Sequence, residues 1–534
     1  MAQLAPGCTP TQVHLAFGRD ASEMHVSWKT AAANCPSELM FRQASAGGGG
    51  TGVLRRGDPG VMNAVGYSFL LSERDMCSGP AAANAFMLNL HRVKLSNLVG
   101  STDYLYQVAG SEAPLRFTSG APPSRLAGLR FVAFGDMGDA RHVEAKSPGA
   151  SATLLRLKQE LSGPASPPSL VLHLGDIAYA NGAPELWDSF MDDVSPLAAR
   201  LPWMVAVGNH EYGYSRPPPG ASIDPSGASR PYQPKPWGNF GDDSHGECGA
   251  MLARRFHMPN PAPRVPGGPR ANAPFWYSFA QGPARFVVLS TEHSLEPGSV
   301  QYGWLEAELA AVDRCGAAMP RRGARALGAR AGRGGGGGGG AARGAERAAR
   351  AVRRCATPWV VVGLHRPLYV VYPHKSNRDV ADHLRASLEP LLTAAAVDLT
   401  ISGHVHSYYR TCAVAGEECT ADSGDEYDEY GRARGDARGR GGGGSGHGIV
   451  HFVVGSAGRK LSDVERGQEA WLAASVQQWG FLRLTARAGG DSLLAEFVGS
   501  EDGEVLDSVE VVPSVQARGA RDDACARAAV PAAS

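Results

Sequence analysis

Five apolar segments, each followed by a loop that contains glycine and a potential metal ligand, constrain the fold of this chain most strongly. The segments lie at 131–134, 170–174, 203–207, 359–362 and 399–401. The loops after them contain, in chain order, Gly135-Asp136-Met137-Gly138, Gly175-Asp176-Ile177-Ala178-Tyr179, Gly208-Asn209-His210-Glu211, Gly363-Leu364-His365 and Gly403-His404-Val405-His406. Continuous apolar runs are typical of strands that are buried on both faces. Because ligands bind at the carboxyl ends of such strands, we predict that these loops meet at one site in an α/β domain.

The N-terminal part of the chain has a different pattern. Short segments between residues 11 and 118 alternate apolar and polar residues, as at Val13, Leu15 and Phe17. This alternation predicts an all-β sandwich, and its later segments resemble the strands of a fibronectin type III domain. The Pro-containing stretch 121–124 reads as a linker. The predicted domains are a β-sandwich at 1–122, an α/β domain at 123–512 and a C-terminal tail at 513–534.

Two low-complexity segments interrupt the α/β pattern. Residues 316–354 are rich in Arg, Ala and Gly, and residues 420–447 are acidic and then rich in Arg and Gly. Neither segment has enough apolar residues to offset the entropy lost on ordering. We therefore expect disordered surface inserts, with contact between the Arg-rich insert and RNA or an acidic partner as the alternative.

The overall charge of the chain excludes a general attraction to polyanions. The 534 residues contain 52 Lys+Arg and 52 Asp+Glu, so the formal net charge is zero. No global field favours nucleic acid or an anionic membrane, and no run reaches the ~18 apolar residues of a membrane span. The first residues lack the basic and apolar regions of a signal peptide, so we expect no leader in this sequence. Any anionic ligand must be bound locally.

The nine cysteines leave the redox compartment open. No Cys-x-x-Cys pair is present, which makes a thiolate zinc site or a thioredoxin-like motif improbable. Cys412 and Cys419 could bridge a short loop. The alternative is that the cysteines are scattered buried thiols, and their number alone does not distinguish the two.

Taken together, the five loops resemble those of the purple acid phosphatases, within the binuclear metallophosphoesterases. The stretches Trp276-Tyr277-Ser278-Phe279 and Leu289-Ser290-Thr291-Glu292 also resemble that family, in its high-molecular-weight form with an N-terminal fibronectin III-like domain. The resemblance implies a two-sheet α/β sandwich flanked by helices. It also implies that Asp136, Asp176, Tyr179 and His406 hold one metal, and that Asp176, Asn209, His365 and His404 hold the other, with Asp176 bridging.

The chemistry of these side chains agrees with two different metals. Two carboxylates and a phenolate are hard, anionic ligands, which suit Fe³⁺. An amide oxygen, two imidazoles and a shared carboxylate are more neutral, which suits a divalent ion such as Zn²⁺, Mn²⁺ or Fe²⁺. The expected reaction is the hydrolysis of phosphate monoesters by a hydroxide activated at the metal pair.

Two histidines outside the ligand set are candidates for binding phosphate and protonating the leaving group. His210 directly follows a ligand, and His374 lies where the family has a substrate-facing histidine. The chain departs from the family pattern at Lys375, where many plant members have a second histidine, and at Tyr409, which replaces a usual Glu. The first could change substrate preference or the pH profile, and the second could change the support around His406.

The sequence also bears on alternative activities, on partners and on location. The same metals would also serve a phosphodiesterase or a nucleotide pyrophosphatase. A noncatalytic binding protein that uses its sandwich domain is a more distant alternative, because the ligand set is complete. We expect small phosphate-ester substrates, with neither nucleic acid nor membrane as a partner. The resemblance implies a secreted, vacuolar or lysosomal location.

Overall fold

The computed structural model describes 5–44, 52–123, 128–141, 147–163, 167–213, 242–263, 267–312, 359–371, 375–420, 426–427, 433–434, 448–462, 469–487 and 492–513. The strands are β1 (Thr11–Phe17), β2 (Met24–Thr30), β3 (Glu38–Gln43), β4 (Met62–Val65), β5 (Tyr67–Ser72), β6 (Met87–Leu95), β7 (Asp103–Val108), β8 (Leu115–Thr118), β9 (Arg130–Phe134), β10 (Val171–Leu174), β11 (Trp203–Ala206), β12 (Tyr277–Gln281), β13 (Ala284–Val288), β14 (Trp359–Gly363), β15 (Leu399–Ser402), β16 (Tyr408–Ala415), β17 (Glu418–Cys419), β18 (Glu426–Tyr427), β19 (Ala433–Arg434), β20 (Ile449–Val454), β21 (Leu472–Val476), β22 (Gly480–Ala486), β23 (Leu493–Gly499) and β24 (Val505–Val511). The helices are a 3₁₀ turn at Glu73–Asp75, α1 (Gly79–Ala83), α2 (Ala150–Ser162), α3 (Pro184–Ala198), α4 (Asn209–Tyr212), α5 (Ala250–Arg255), α6 (Val300–Ala310) and α7 (Lys375–Ala394).

The N-terminal strands form the predicted all-β sandwich. One antiparallel sheet has the order β1-β2-β6-β5, and the other has the order β4-β3-β7-β8. Alternate side chains of these strands point inward, so that Trp28, Tyr104 and Tyr106 are buried. The Trp28 indole stacks on the His91 ring with a centroid distance of 5.1 Å. The likeness to a fibronectin type III domain in particular stays a prediction.

Two larger sheets build the rest of the fold. One has the order β11-β10-β9-β22-β23-β24, and the other runs β12-β13-β14-β15-β20-β16-β17, with β21 paired to β16. The sheets face each other, since the Phe131 ring on β9 lies 5.0 Å from the Phe286 ring on β13. Helix α2 buries Ala150, Leu154 and Leu157, which share one helical face. The α/β two-sheet prediction is confirmed.

Parallel pairing of the strands determines where the loops with the predicted metal ligands lie. Strands β9, β10 and β11 are mutually parallel, and so are β14 and β15 in the other sheet. Their carboxyl ends therefore lie at matching edges of the two facing sheets. A Cβ placed on Gly135, after β9, would come 3.1 Å from the Cα of Gly403, after β15. The loops from both sheets meet at this edge.

The sandwich is attached to the two-sheet unit through polar and covalent contacts. The Lys29 ammonium lies 2.8 Å from the Asp188 carboxylate on α3, which also pairs with Arg255 at 2.8 Å. The Tyr106 hydroxyl donates to the Ala199 carbonyl at 2.6 Å. A disulfide joins Cys77, after the 3₁₀ turn, to Cys248.

The cysteines of the described residues are paired. Cys412 and Cys419 form a disulfide, as the sequence allowed. The sequence did not suggest Cys8–Cys35 or Cys77–Cys248, which the structure also contains. The reading of these six as scattered thiols is wrong, because the fold brings each pair together. Cys315, Cys355 and Cys525 lie outside the described residues.

The predicted inserts fall largely on residues that the structure does not describe. Residues 316–354 lie wholly outside the described residues, as do most of 420–447 and of the tail at 513–534. Within the second insert, β18 pairs with β19 in a two-residue antiparallel ladder. In the part of the chain that the structure describes, no helix is long and apolar enough to cross a membrane.

Candidate metal centre

The loops at the sheet edge have an unusual backbone conformation. Four of the predicted ligands have positive φ angles, namely Asp136 (61°), Asp176 (49°), Tyr179 (49°) and His404 (68°). Non-glycine residues rarely adopt this left-handed region, and such residues cluster at functional sites. Glycines make room beside them: a Cβ on Gly208 would lie 2.2 Å from Asp176 Oδ1, and one on Gly403 would lie 2.4 Å from Asp136 Oδ2. The tight turns thus hold the carboxylates against the backbone.

One group of donor atoms contains Asp136, Tyr179 and His406. The Tyr179 hydroxyl lies 2.9 Å from Asp136 Oδ1 and 2.9 Å from His406 Nε2. The other ring nitrogen of His406, Nδ1, lies 2.9 Å from the Lys460 carbonyl. Because a carbonyl only accepts, Nδ1 carries the proton and Nε2 presents its lone pair to Tyr179 and Asp136. A carbonyl behind the imidazole is the arrangement that orients a metal-binding histidine.

A second group contains His365, Asn209 and Asp176. His365 Nδ1 lies 2.8 Å from the Leu174 carbonyl, which directs its Nε2 lone pair into the site. That Nε2 lies 3.0 Å from Asn209 Oδ1 and 3.3 Å from Asp176 Oδ1. The Asn209 amide is oriented by its NH₂ group, which donates to Asp243 at 3.2 Å. Three acceptor atoms therefore face one another at short distance.

His404 connects the two groups. Its backbone N–H donates to Asp136 Oδ2 at 2.7 Å, and its ring Nδ1 lies 3.1 Å from Asn209 Oδ1. Asp176, His365 and His404 each offer one potential metal-ligand atom, and these three atoms lie within 4.8 Å of one another. The structure thus brings together all seven side chains that the sequence predicted as metal ligands.

The arrangement fits bound cations. Asp136 and Asp176 are buried, and the ion-pair partners that the structure gives them are imidazoles. Lone pairs of a carboxylate, an amide oxygen and an imidazole repel one another unless a cation or an extra proton lies between them. The donor set of oxygen, nitrogen and phenol groups suits first-row transition metals.

Glu211 supports the second group from behind, and the sequence reading did not assign it a role. Its carboxylate accepts backbone N–H groups of Asp176, Ile177 and Gly208 at 2.8, 2.7 and 2.9 Å. Burial, together with the nearby Asp176 charge, raises the pKa of Glu211 to about 8. These bonds tie the loop after β10 to the loop after β11.

Of the two histidines predicted to face the substrate, the structure describes only His210. His210 Nδ1 lies 2.8 Å from Asn181 Oδ1, and Nε2 lies 4.0 Å from Asp176 Oδ2. Burial lowers the pKa of His210. His374 lies outside the described residues, as does the side chain of Lys375. The departure at Tyr409 is accommodated away from His406, because its hydroxyl donates to the Tyr369 carbonyl at 3.1 Å.

Two arginines beside the ligands were not anticipated from the sequence. The Arg459 guanidinium lies 4.4 Å from the centre of the Tyr179 ring. Arg366 is buried with Glu292 and reaches the outer nitrogen of His404, 3.0 Å away. Arg366 directly follows the ligand His365, which was the one available signal; Arg459 had none.

Comparison with known proteins agrees with this architecture. Residues 10–119 match the purple acid phosphatase N-terminal domain family, residues 129–295 match the calcineurin-like phosphoesterase family, and residues 448–508 match the iron/zinc purple acid phosphatase-like protein C family. These three matches follow the order of the sandwich, the metal-site loops and the C-terminal strands.

Individual relatives extend over nearly the whole chain. The chain is 28% identical over 520 residues to a protein of Arabidopsis thaliana named probable inactive purple acid phosphatase 27, covering 94% of this chain and 69% of that one. It is 26% identical to acid phosphatase type 7 of Mus musculus, covering 96% and 92%. The purple acid phosphatase PPD1 from yellow lupin (Lupinus luteus) seeds has the same fold, with a TM-score of 0.68 at 24% identity over 99% of this chain and 78% of that one. The chain therefore belongs to the purple acid phosphatase family of metallophosphoesterases.

Proposed function

We propose that this chain is a metal-dependent acid phosphatase that hydrolyses phosphate monoesters. The observation that supports the proposal most directly is that seven side chains of types that bind metals lie together. The backbone N–H of His404 connects to Asp136 and its ring connects to Asn209, which joins the two groups. A chain that had lost the activity by drift would be expected to lack some of them. Because the Arabidopsis relative is named probable inactive, catalysis by this chain requires its own test.

The proposed metals follow from the two donor groups. Asp136, Tyr179 and His406 would hold Fe³⁺, Asn209, His365 and His404 would hold Zn²⁺, Mn²⁺ or Fe²⁺, and Asp176 would bridge them. A metal pair of this kind polarises a phosphoryl oxygen and lowers the pKa of a bound water toward about 7. Leu174 and Lys460 hold two imidazoles in the tautomer that such binding needs.

His210 is the described residue best placed to serve the leaving group. In its protonated form, Nδ1–H donates to Asn181 and Nε2–H faces the Asp176 side of the site. We propose that His210, together with His374, binds phosphate and protonates the departing oxygen. Asn181 would act as the positioning residue that fixes the ring.

An ester panel on metal-loaded protein tests the activity. Hydrolysis of p-nitrophenyl phosphate that is lost in Asp176→Asn supports the proposal. The matched control is Asp398→Asn. Asp398 is also buried, but its carboxylate accepts the Val360 N–H at 2.7 Å and is not one of the predicted ligands. Turnover of only bis(p-nitrophenyl) phosphate or of a nucleotide sugar would assign a diesterase or pyrophosphatase instead. No turnover with both metals bound would indicate a noncatalytic protein.

Leaving-group dependence tests the role of His210. In His210→Ala we expect turnover of an alkyl phosphate, whose leaving group needs a proton, to fall by roughly 10²–10⁴-fold. Turnover of a nitrophenyl phosphate should fall much less. Equal losses on both substrates would make His210 a binding residue only.

We also propose an oxidising compartment, that is, a secreted, vacuolar or lysosomal location. The support is the three disulfides among the described residues, since disulfides are rare in reducing compartments. The substrates would be small phosphate esters. Imaging of a fluorescent fusion of the full-length protein would test the location, and a cytosolic signal would contradict it.

A further inference from the structure

Each of the three imidazoles in the metal centre has an outer ring nitrogen, the one that faces away from the predicted metal position. The partners of these outer nitrogens differ in kind. His365 and His406 each have a backbone carbonyl there, from Leu174 at 2.8 Å and Lys460 at 2.9 Å. At His404 Nε2 the nearer partner is instead the Arg366 guanidinium, with Nη1 at 3.0 Å, and the Asn377 amide oxygen lies farther away at 3.3 Å. An acceptor behind an imidazole makes it a better metal ligand, whereas a cation behind it does the opposite. The contrast occurs within a single site.

Arg366 is fixed in this place by its own contacts. Its Nε donates to Glu292 Oε1 at 2.8 Å, and Nη2 lies 3.4 Å from Glu292 Oε2. Its backbone N–H donates to the Thr291 hydroxyl at 3.1 Å. Arg366 is 3% exposed and Glu292 is fully buried, so the ion pair lies in the protein interior. Its charge therefore stays beside His404.

The hydrogen-bonding roles of the groups make this contact specific. A guanidinium only donates, so Arg366 requires a lone pair on His404 Nε2 and thus a proton on Nδ1. That proton would point to Asn209 Oδ1, 3.1 Å away. A metal bound at Nδ1 needs the opposite tautomer, with Nε2–H donating to Asn377 Oδ1 at 3.3 Å. Metal binding through His404 must therefore break the Arg366 bond and leave two donors facing each other.

We infer that Arg366 is a positioning residue that weakens the divalent-metal position formed by Asn209, His365 and His404. The position formed by Asp136, Tyr179 and His406 is not affected in this way, because Lys460 supplies the usual carbonyl behind His406. This inference rests on the proposed metal centre, but it concerns affinity and not the reaction.

The test removes the charge pair and supplies an acceptor. In Arg366→Gln/Glu292→Gln, the amide oxygen at 366 can accept His404 Nε2–H, and no buried charge is left unpaired. Equilibrium dialysis with Zn²⁺ on iron-loaded protein should show about 10- to 100-fold tighter binding than wild type at the second position. The visible absorption of the iron site should remain unchanged.

A matched control separates this effect from the loss of a buried ion pair in general. The partly buried Arg285 and the buried Glu308 form an ion pair between β13 and α6, distant in sequence from the ligand loops. We expect Arg285→Gln/Glu308→Gln to leave Zn²⁺ affinity near wild type. Arg366→Lys keeps the positive charge and should stay as weak as wild type. General loosening of the site would weaken binding, so tighter binding cannot come from structural damage.

The outcomes are distinguishable from failure of the proposed function. Unchanged or weaker Zn²⁺ affinity in a folded double variant, verified by circular dichroism, overturns the inference. Tighter Zn²⁺ binding supports it even if neither protein hydrolyses an ester, in which case only the proposed function fails. If Arg285→Gln/Glu308→Gln tightens binding equally, the effect is not specific to Arg366 and the inference is also overturned.

Discussion

At the scale of single residues, the metal centre depends on glycines that keep space for carboxylates. Gly208 is the clearest case, because its absent side chain leaves room for Asp176 Oδ1 and for His365 Cε1, which would lie 2.2 and 3.0 Å from a Cβ. Both neighbours belong to the donor set, and both are held by further bonds. The loop after β11 cannot take a larger residue without moving a ligand.

Gly208→Ala should therefore reduce metal binding sharply. We expect loss of at least one metal equivalent or a drop in affinity of roughly 10²-fold or more, because outer contacts alone are worth about 10–100-fold. Metal analysis after dialysis measures this. Gly303→Ala is the matched control: its Cβ would lie 3.8 Å from the nearest atom, in the interior of α6, where Ala is favoured over Gly by about 1 kcal/mol. Full metal content in Gly208→Ala would contradict the steric argument.

At the scale of elements, the strands position the site and covalent links hold the connections in place. The link between Cys77 and Cys248 spans 171 residues and crosses from the sandwich to the segment that carries Asp243. The link between Cys412 and Cys419 spans only 7 residues, within the β16–β17 hairpin. Cross-links over longer loops remove more entropy from the unfolded chain.

The two disulfides should accordingly differ in their effect on stability. Replacing Cys77 and Cys248 by Ser should lower the unfolding free energy by roughly 5 kcal/mol, against roughly 2.5 kcal/mol for Cys412 and Cys419. Denaturation of the three proteins in urea, without reductant, provides the comparison. A larger effect from the hairpin pair would show that loop entropy does not control these links.

Deletion of residues 316–354 is a second prediction at this scale. The deleted segment lies between α6, which ends at Ala310, and β14, which begins at Trp359. Helix α6 buries Trp304, Leu305 and Leu309, and β14 pairs with β13 and β15. We expect metal content and ester hydrolysis within about twofold of wild type, since loop length has a small energetic effect. Loss of metal binding in a folded deletion variant would assign the insert a role in the site.

At the scale of the whole molecule, the contact between the sandwich and the two-sheet unit contains a histidine pair. The rings of His25, on β2, and His257 stack with a centroid distance of 3.9 Å and an angle of 10°. His25 Nδ1–H donates to the His257 carbonyl at 2.7 Å. Burial lowers the pKa of His25 from 6.5 to about 4. Folding is therefore linked to pH through this contact.

The sign of that linkage gives a prediction. The pKa of His25 is lower in the folded protein than in the unfolded chain. The contribution of neutral His25 to folding stability is therefore complete above pH 6.5 and is lost as the pH falls toward 4. His25→Asn, whose amide can still donate to the His257 carbonyl, should remove roughly 3 kcal/mol of this acid-induced loss. Urea denaturation of metal-free protein between pH 7.5 and 4 measures the difference. The unfolding free energy at pH 7.5 reports any change in packing caused by the substitution. If the unfolding free energies of wild type and His25→Asn depend identically on pH, the linkage is excluded.

Local sequence patterns by themselves determined the class of each domain and which loops meet at one site. Alternation over residues 11–118 indicated a sandwich because alternating apolar and polar residues are typical of strands that pack one face against a second sheet. The Gly-ligand loops after apolar runs indicated one site because parallel strands end at a common edge. The domain classes and the meeting of the loops are confirmed, because each depends on neighbours in sequence. The assignment of the seven side chains as metal ligands stays a prediction.

Only the tertiary structure decided which distant groups meet. Glu292 and Arg366, 74 residues apart, form their pair next to His404, and nothing in the local sequence of any of the three specifies it. The Cys77–Cys248 link and the position of Arg459 over Tyr179 are of the same kind. Such contacts arise from how the two sheets and the sandwich pack, and packing depends on the shape of all the elements together. The charge environment of the predicted ligands was therefore set by the fold, whereas their positions in the chain were predictable from the sequence.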